Sequence, residues 1–242
     1  MKTLVVSDVH GNQEALQAVL TAADSTGDIG QVWCLGDVVG YGPNPAGCIA
    51  LLRERSALCI QGNHDAGAAG ALGLDGFNAY AAEALRWTIT QLGQEEREWL
   101  GALPVTLVEG LATLVHGTPR EPRWDYLLSY GQAIDAWERT RTPLVLVGHS
   151  HLQFVAEAGR DLRHSGLEGR ALDLLTGVRV VVNPGSVGQP RDNDRRAAYA
   201  LVDEEAGLLT LHRAWYDVSA TQRAMAEAGL PEALLTRLSL GR

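Results

Sequence analysis

The sequence predicts an α/β fold with a partly antiparallel second sheet (α+β), arranged as a four-layer αββα sandwich of two mixed sheets flanked by helices. Two observations lead to this fold class. Short β-branched runs alternate with helical patterns up to residue 60, which favours parallel strands joined by crossover helices. Later apolar runs are separated by short turn signals, which is typical of antiparallel pairing.

The first part of the chain alternates strands with helices. Apolar spacing defines the first helix, which places Leu16, Val19 and Leu20 on one face. The strands are predicted at Thr3–Val6, Gln31–Leu35 and Ala57–Ile60, and the helices at Gln13–Ala23, Pro45–Glu54, Gly76–Leu92 and Gln94–Leu100.

The second part of the chain opens with a hairpin signal. Val105–Val108 and Leu111–Val115 flank Glu109-Gly110, a two-residue turn that predicts an antiparallel pair. A helix at Tyr130–Arg139 and a strand at Leu144–Val147 follow, and then come strands at Phe154–Ala156, Val178–Val182, Ala198–Val202 and Leu208–Trp215, predicted to form the second sheet. Helices are predicted at Ser219–Ala228 and Pro231–Ser239. We expect residues 1–242 to form a single domain, with the C-terminal helices (about 219–239) as an appendage.

Composition excludes several classes of function. The net charge of -9 argues against a broad nucleic-acid-binding face. The three cysteines include no CxxC pair, which argues against a disulfide framework or a thiolate zinc site and favours a cytoplasmic location. No targeting segment is visible, and no apolar run approaches the roughly 18 residues of a membrane span, so no membrane association is expected.

Five short polar clusters follow apolar runs and contain five of the seven histidines. They are Ser7-Asp8-Val9-His10, Gly36-Asp37, Gly62-Asn63-His64-Asp65, His116-Gly117 and Gly148-His149-Ser150-His151. Because loops converge at the carboxyl ends of strands in α/β sheets, we expect the clusters to meet there. The candidate metal ligands are Asp8, His10, Asp37, Asn63, His116, His149 and His151.

That ligand inventory suggests a dinuclear site. Seven ligands exceed the needs of one ion that also binds substrate, whereas two ions about 3.5–4 Å apart and bridged by one carboxylate would use them all. Imidazole-rich ligation favours divalent transition metals, with Mn as the first choice and Fe, Zn, Ni or Co as alternatives. Two dications and two aspartates leave a net charge of about +2, which favours an anionic phosphoryl substrate.

The order of the clusters resembles that of the calcineurin-like metallophosphoesterase family. The likeness covers the chain from Asp8 to His151, and the segment Asn183–Arg191 resembles a loop of the small bacterial phosphodiesterase branch. The resemblance implies that one ion is held by Asp8, His10, Asp37 and His151, and the other by Asp37, Asn63, His116 and His149. It also implies in-line attack by a metal-bridging hydroxide, with His64 protonating the leaving oxygen and Asp65 orienting or polarising His64.

Several of these residues have other interpretations. Asp65 could cap a local turn, and His64 could be structural. Asn12, Tyr41 and Arg191 are candidate substrate contacts, but Asn12 could instead cap the first helix, Tyr41 could belong to a turn, and Arg191 could be solvated.

The leading functional prediction is a metal-dependent phosphoesterase that hydrolyses mono- or diesters of a small substrate. Serine/threonine phosphatases of the superfamily carry an arginine soon after the bridging aspartate, and here that run is Asp37-Val38-Val39-Gly40-Tyr41-Gly42, so protein phosphatase activity is a weaker alternative. Another is a nucleotide hydrolase for dinucleoside polyphosphates or 2′,3′-cyclic nucleotides, in which Phe77, Trp124 and Tyr126 offer an apolar shelf. The third alternative is a non-catalytic binding scaffold. Relatives are often oligomers, which makes a homo-oligomer a further expectation.

Overall fold

A computed structural model describes residues 1–242. It contains eleven strands in two sheets and eight helices. The strands are β1 (Lys2–Val6), β2 (Ile29–Cys34), β3 (Leu58–Cys59), β4 (Thr106–Glu109), β5 (Ala112–Val115), β6 (Leu144–Leu146), β7 (Gln153–Glu157), β8 (Ala171–Asp173), β9 (Val180–Pro184), β10 (Ala197–Asp203) and β11 (Leu208–Ala214). The helices are α1 (Gln13–Asp24), α2 (Pro45–Glu54), α3 (Asn63–Ala68), α4 (Ala79–Gln91), α5 (Gln94–Ala102), α6 (Tyr130–Arg139), α7 (Val218–Glu227) and α8 (Glu232–Leu240).

Both sheets are mixed. The first has the order β3-β2-β1-β10-β11-β8, in which β1, β2 and β3 are parallel and β10 is antiparallel to β1. The second has the order β4-β5-β6-β9-β7, with three parallel central strands and an antiparallel strand at each edge. Parallel pairing of the early strands and the antiparallel pairing of β4 with β5 are both as predicted.

Three hydrophobic layers separate the sheets and the helices. A cluster that includes Trp33, Leu146 and Ala200 fills the space between the two sheets. A second packs α1 and α2 on the outer face of the first sheet, with Leu16 among its members, and a third packs α6 on the second sheet through Trp137. These layers confirm the four-layer αββα fold class. None of the helices is long and apolar enough to cross a membrane.

The assignment of β10 and β11 to the second sheet is wrong, because both strands lie in the first sheet, where β10 pairs with β1. Strand β10 is buried on both faces: Tyr199 and Leu201 pack towards α1, while Ala200 and Val202 pack between the sheets. An apolar run of this kind predicts a buried strand but not its partner. Helix α3 and strand β8 were not predicted, since each is short and lacks a clear apolar period.

The C-terminal helices pack beside the carboxyl ends of the strands. Met225, Leu234 and Leu238 share a hydrophobic cluster with Tyr41 and Ala81. A hydrogen bond of 3.0 Å from the hydroxyl of Thr221 to the side-chain oxygen of Asn12 joins α7 to the start of α1. Helices α7 and α8 thus support the loop of Tyr41, which also carries the predicted metal ligand Asp37.

Candidate metal centre

The predicted ligands occupy sharp turns directly after buried strands. Asp8, His10, Asp37, His149 and His151 all have positive φ angles, between 48° and 63°. This left-handed region is uncommon for residues other than glycine, and such strain persists only where the surroundings enforce it. Its concentration in five candidate ligands indicates that the turns are shaped for the side chains they present.

Asp8, His10 and His151 form one group of donor atoms, which lie within 4.8 Å of one another. Nε2 of His151 is 3.3 Å from Oδ1 of Asp8, and Nε2 of His10 is 3.9 Å from the same oxygen. All three side chains are buried. Loops that follow β1 and β6 therefore deliver ligands 141 positions apart to one point.

Asp37, His116 and His149 form the second group, and Asn63 lies beside it. Nε2 of His116 is 3.3 Å from Oδ2 of Asp37, and Nε2 of His10 is 3.7 Å from that oxygen. Asp37 thus stands between the two groups, as a bridging carboxylate would. The side-chain oxygen of Asn63 and Nε2 of His116 are buried without a hydrogen-bond partner.

The protonation of three imidazoles follows from their backbone partners. Nδ1 of His10, His116 and His151 lies 3.1, 2.7 and 2.6 Å from a carbonyl oxygen. A carbonyl can only accept, so each Nδ1 carries a proton, and each imidazole in its neutral form presents the lone pair of Nε2. The Nε2 atoms of His10 and His151 are 3.1 Å apart. Two facing lone pairs at that distance repel unless a cation lies between them, so the residues fit a metal site.

His149 is held in the opposite tautomer. Its Nε2 is 3.1 Å from the backbone oxygen of Trp124 and therefore carries the proton. The lone pair of Nδ1 is then free to bind a metal ion. The ring of Tyr126 stacks on the imidazole with centroids 4.2 Å apart. The loop after β5 therefore orients a ligand that belongs to the loop after β6.

Burial keeps most of the imidazoles neutral. It lowers the pKa of His10 and His151 well below the ordinary value, and that of His149 to about 3. Burial also lowers the pKa of His116, but the adjacent Asp37 carboxylate outweighs it and raises that pKa to about 9. In turn, burial opposes the ionisation of Asp37, but the positive charge of His116 outweighs it and holds the pKa of Asp37 below the usual range. Neutral imidazoles around an ionised carboxylate are donors that transition metals accept.

In the structure the carboxylate of Asp65 bonds backbone groups rather than His64, which it was expected to orient or polarise. Oδ2 of Asp65 accepts hydrogen bonds from the backbone N–H groups of Asp37 (2.7 Å) and Gly62 (3.0 Å), and Oδ1 accepts one from Val39 (3.2 Å). Nδ1 of His64 is buried without a partner. Asp65 is the third residue of α3, so its side chain reaches back to the start of the helix, as in a capping box. The alternative of a local turn cap is what the structure contains.

Asn12 likewise has a structural position. Its Oδ1 accepts from the backbone of Ala15 at 3.2 Å, as the N-cap of α1, and from the Thr221 hydroxyl at 3.0 Å. Its amide nitrogen donates to the carbonyl of Gly188 and to the hydroxyl of Tyr216. All four hydrogen-bonding positions are filled, which leaves none for a substrate. The structure therefore favours the interpretation of Asn12 as the cap of α1 over the expected substrate contact.

Two glycines are required by close approach to these side chains. A Cβ atom at Gly62 would overlap the carboxylate of Asp37, and one at Gly40 would overlap the imidazole of His64. Gly40 also has a φ of +92°, which disfavours any side chain.

A cavity of about 270 Å³ opens beside the metal ligands. Its lining includes Asp37, Asn63, His64, His149 and His151 together with two predicted substrate contacts, Tyr41 and Arg191. The remaining wall carries Phe77, Trp124 and Tyr126, the three aromatic residues proposed from sequence as a shelf. His64 lies against Tyr41 and Phe77, with ring centroids 4.5 and 5.1 Å apart, and Phe77 is 4.9 Å from Trp124.

Sequence reasoning missed the residues that hold the ligands. The Ser7 hydroxyl donates to Asp8 Oδ2 at 2.7 Å, and the Ser186 hydroxyl donates to the Asp8 backbone oxygen at 2.8 Å. The amide of Asn183 donates to the Gly148 carbonyl at 2.7 Å and so supports the turn that presents His149. Ser7 stands in the first polar cluster, and Asn183 and Ser186 stand in the segment Asn183–Arg191, but neither pattern gave these three residues a role.

Comparison with known proteins agrees with this geometry. A family model described as the calcineurin-like phosphoesterase superfamily domain matches residues 1–207. An uncharacterized protein of Methanocaldococcus jannaschii is 38% identical over 252 residues, which cover 98% of this chain and 97% of that protein. The crystal structure of a metallophosphoesterase from Sphaerobacter thermophilus is similar with a TM-score of 0.90 and 42% identity, covering 100% of this chain and 99% of that chain. A hypothetical protein from Pyrococcus horikoshii OT3 shares the fold, with a TM-score of 0.84, 22% identity, and 100% and 98% coverage.

Proposed function

The chain belongs to the calcineurin-like phosphoesterase superfamily, and we propose that it hydrolyses phosphate mono- or diesters of a small substrate with the help of two divalent metal ions. One observation carries this proposal: buried ligand atoms from five loops converge beside a cavity, and two of them, the side-chain oxygen of Asn63 and Nε2 of His116, have no hydrogen-bond partner. Such buried lone pairs are costly unless a ligand satisfies them.

Residues of this chain would hold the two ions at adjoining positions. We assign Asp8, His10, Asp37 and His151 to one ion, and Asp37, Asn63, His116 and His149 to the other, with Mn as the first choice. Bound there, the ions would supply positive charge for the phosphate oxygens and lower the pKa of an attacking water. The strained turns and the backbone carbonyls behind the imidazoles would orient these ligands.

His64 is proposed to protonate the leaving oxygen. It lines the cavity beside Asp37, and its backbone N–H donates to Oδ1 of Asp37 at 2.8 Å, which ties its position to the metal ligands. Burial lowers the pKa of His64 to about 4, so an anionic phosphate near the ring is needed to favour its charged form. This requirement couples proton donation to the presence of substrate.

The cavity favours a small substrate over a protein. Its volume of about 270 Å³ lies near the lower end of the roughly 300–1,000 Å³ usual for small-molecule sites. Tyr41 stands in the run where serine/threonine phosphatases carry an arginine, and Arg191 supplies a cation to the cavity from another loop. We therefore prefer a small phosphate ester to a phosphoprotein.

A nucleotide is the second candidate substrate. The aromatic wall formed by Phe77, Trp124 and Tyr126 offers a face on which a base could stack beside His149. A segment of 67 residues is 39% identical to a bis(5′-nucleosyl)-tetraphosphatase of Psychromonas ingrahamii, although it covers only 27% of this chain. Comparing dinucleoside polyphosphates, 2′,3′-cyclic nucleotides and simple esters by kcat/KM tests this candidate.

The first experiment removes metal with a chelator, restores Mn, and compares p-nitrophenyl phosphate with bis(p-nitrophenyl) phosphate. Metal-dependent hydrolysis of either ester supports the proposal, and the preferred ester separates a monoesterase from a diesterase. Asp37→Asn and His64→Ala should abolish turnover while the fold survives. His164→Ala is the matched control, since His164 is exposed and lies outside the site. Rates like those of the wild type in Asp37→Asn would refute the proposal.

Three further expectations stay predictions. Cys34, Cys48 and Cys59 are buried free thiols, which agrees with the cytoplasmic location inferred from cysteine usage. A homo-oligomer is expected from relatives alone. A non-catalytic scaffold is disfavoured because every predicted ligand position carries a residue able to bind metal.

A further inference from the structure

We propose that Gln189 is a positioning residue that holds Arg191 as an unneutralised cation for the substrate phosphate and ties it to the metal ligand His151. This inference rests on the function proposed above, because it assigns a role within the same site. Gln189 lies in the segment Asn183–Arg191, but no sequence pattern gave it a role. Its contacts in the structure carry the argument.

Arg191 is the only arginine or lysine among the residues that line the cavity. Its guanidinium lies over the ring of Tyr41, 5.9 Å from the centroid. The side-chain oxygen of Gln189 accepts hydrogen bonds from Nε of Arg191 at 3.3 Å and from Nη2 at 2.8 Å. The third nitrogen, Nη1, makes no hydrogen bond within the protein and is free to contact a ligand.

The chemistry of the acceptor distinguishes this arginine from others nearby. Arg196 and Arg213, which are also partly buried, pair with the carboxylates of Asp194 and Asp192. No carboxylate lies within ion-pair distance of Arg191, whose acceptor is a neutral amide. A neutral acceptor orients a guanidinium without cancelling its charge, and the full charge then remains available to an anion.

Gln189 is itself rigidly held. It is 1% exposed, and its backbone N–H donates to the Ser186 hydroxyl at 2.8 Å. Its backbone oxygen accepts the Nδ1 proton of His151 at 2.6 Å, and the backbone N–H of Arg191 donates to the oxygen of His151 at 3.3 Å. One residue thus connects a metal ligand, through its backbone, to the cationic side chain in the cavity.

This double connection predicts a separable role for the side chain. Replacing Gln189 by methionine keeps the carbonyl that orients His151 and removes only the acceptor for Arg191. Replacing it by glutamate keeps the shape and the acceptor but adds a charge that neutralises Arg191. Both changes should lower the affinity for phosphate while leaving the metal ligands in place.

The test uses the full-length, Mn-loaded protein and inorganic phosphate as the probe. Calorimetric titration should show phosphate binding weakened about tenfold in Gln189→Met and at least as much in Gln189→Glu, the scale of one hydrogen bond to a charged group. The Mn content should stay at the wild-type level, and KM for the chromogenic esters should rise more than kcat falls. In an Arg191→Met background, Gln189→Met should cause no further loss of phosphate binding.

Gln153→Met is the matched control. Gln153 is a buried glutamine whose amide donates to the carbonyls of Pro184 and His212, so its loss should reduce stability without changing phosphate binding. Equal losses from Gln189→Met with and without Arg191, or unchanged phosphate binding in Gln189→Glu, would overturn the proposal. Phosphate binding needs no turnover. If the wild type binds phosphate through this pair yet hydrolyses neither ester, the proposed function fails and the positioning role stands.

Discussion

Asp65→Asn is the sharpest test of how the loops of the metal centre are held. The carboxylate of Asp65 accepts three backbone hydrogen bonds, two at Oδ2 and one at Oδ1. Asparagine can keep its oxygen at the Oδ2 position, but its amide nitrogen then faces the N–H of Val39. One acceptor is lost, a buried N–H is left unpaired, and the two remaining bonds lose the assistance of the charge.

The magnitude follows from these contacts. A hydrogen bond to a charged group contributes about 1.5–3 kcal/mol, and an unpaired buried donor costs a further 1–3 kcal/mol or so. We expect the free energy of unfolding to fall by about 2–4 kcal/mol, as measured by urea denaturation of the metal-free protein. Because Asp65 holds the N–H of the bridging ligand Asp37, Mn affinity should also fall by roughly 10- to 100-fold.

Asp75→Asn is the control, since Asp75 is an exposed acid in the 3₁₀ turn Leu74–Gly76, and the change in unfolding free energy should stay within about 0.5 kcal/mol. The opposite pattern would refute the reasoning. A stable Asp65→Asn protein with unchanged Mn affinity and a much lower kcat would mean that Asp65 acts through His64 after all.

The remaining predictions concern the pH dependence of stability, metal binding and helix capping. The pKa of His116 is raised from 6.5 in the unfolded chain to about 9 in the folded protein. The attraction between protonated His116 and Asp37 therefore stabilises the metal-free protein fully below pH 6.5, and this stabilisation is lost as the pH rises through 9. The unfolding free energy should fall by about 3 kcal/mol over that window, and His116→Gln should remove the slope. Gly62→Ala should abolish Mn binding, measured by metal analysis, because its Cβ would overlap the Asp37 carboxylate. Asn12→Ala should lower the free energy of unfolding, measured by thermal denaturation, by about 1–2 kcal/mol and leave KM unchanged, since Asn12 caps α1.

Elements with strong local signals were predictable from the sequence. Helix α2 begins at Pro45 after the cap Asn44, and helix α6 begins after the cap Ser129; both have the predicted bounds. Proline at the first helical position and a capping side chain are local chemistry, readable without the fold. Helix α3 has no such signal, because its N-cap is Gly62, it starts inside a polar cluster, and it is rich in small residues.

The candidate ligands were also predictable, because metal chemistry restricts them to few residue types. The structure places Asp8, Asp37, Asn63, His116 and His149 at the carboxyl ends of their strands, where parallel topology makes loops converge. The role expected of Asp65 was not predictable in this way. Whether a carboxylate bonds an imidazole or a backbone N–H depends on its direction at the start of a helix, which residue identity does not specify.

By itself, the sequence determined the chemistry available to this protein: its ligand types, their order, and the strands and helices that carry them. Only the tertiary structure decided which groups meet. It placed β10 beside β1, brought Phe77 and Trp124 to one wall, and set Gln189 between His151 and Arg191. The physical reason is that residue type and spacing govern local conformation, whereas contacts between distant segments are set by how whole layers pack and how their loops close.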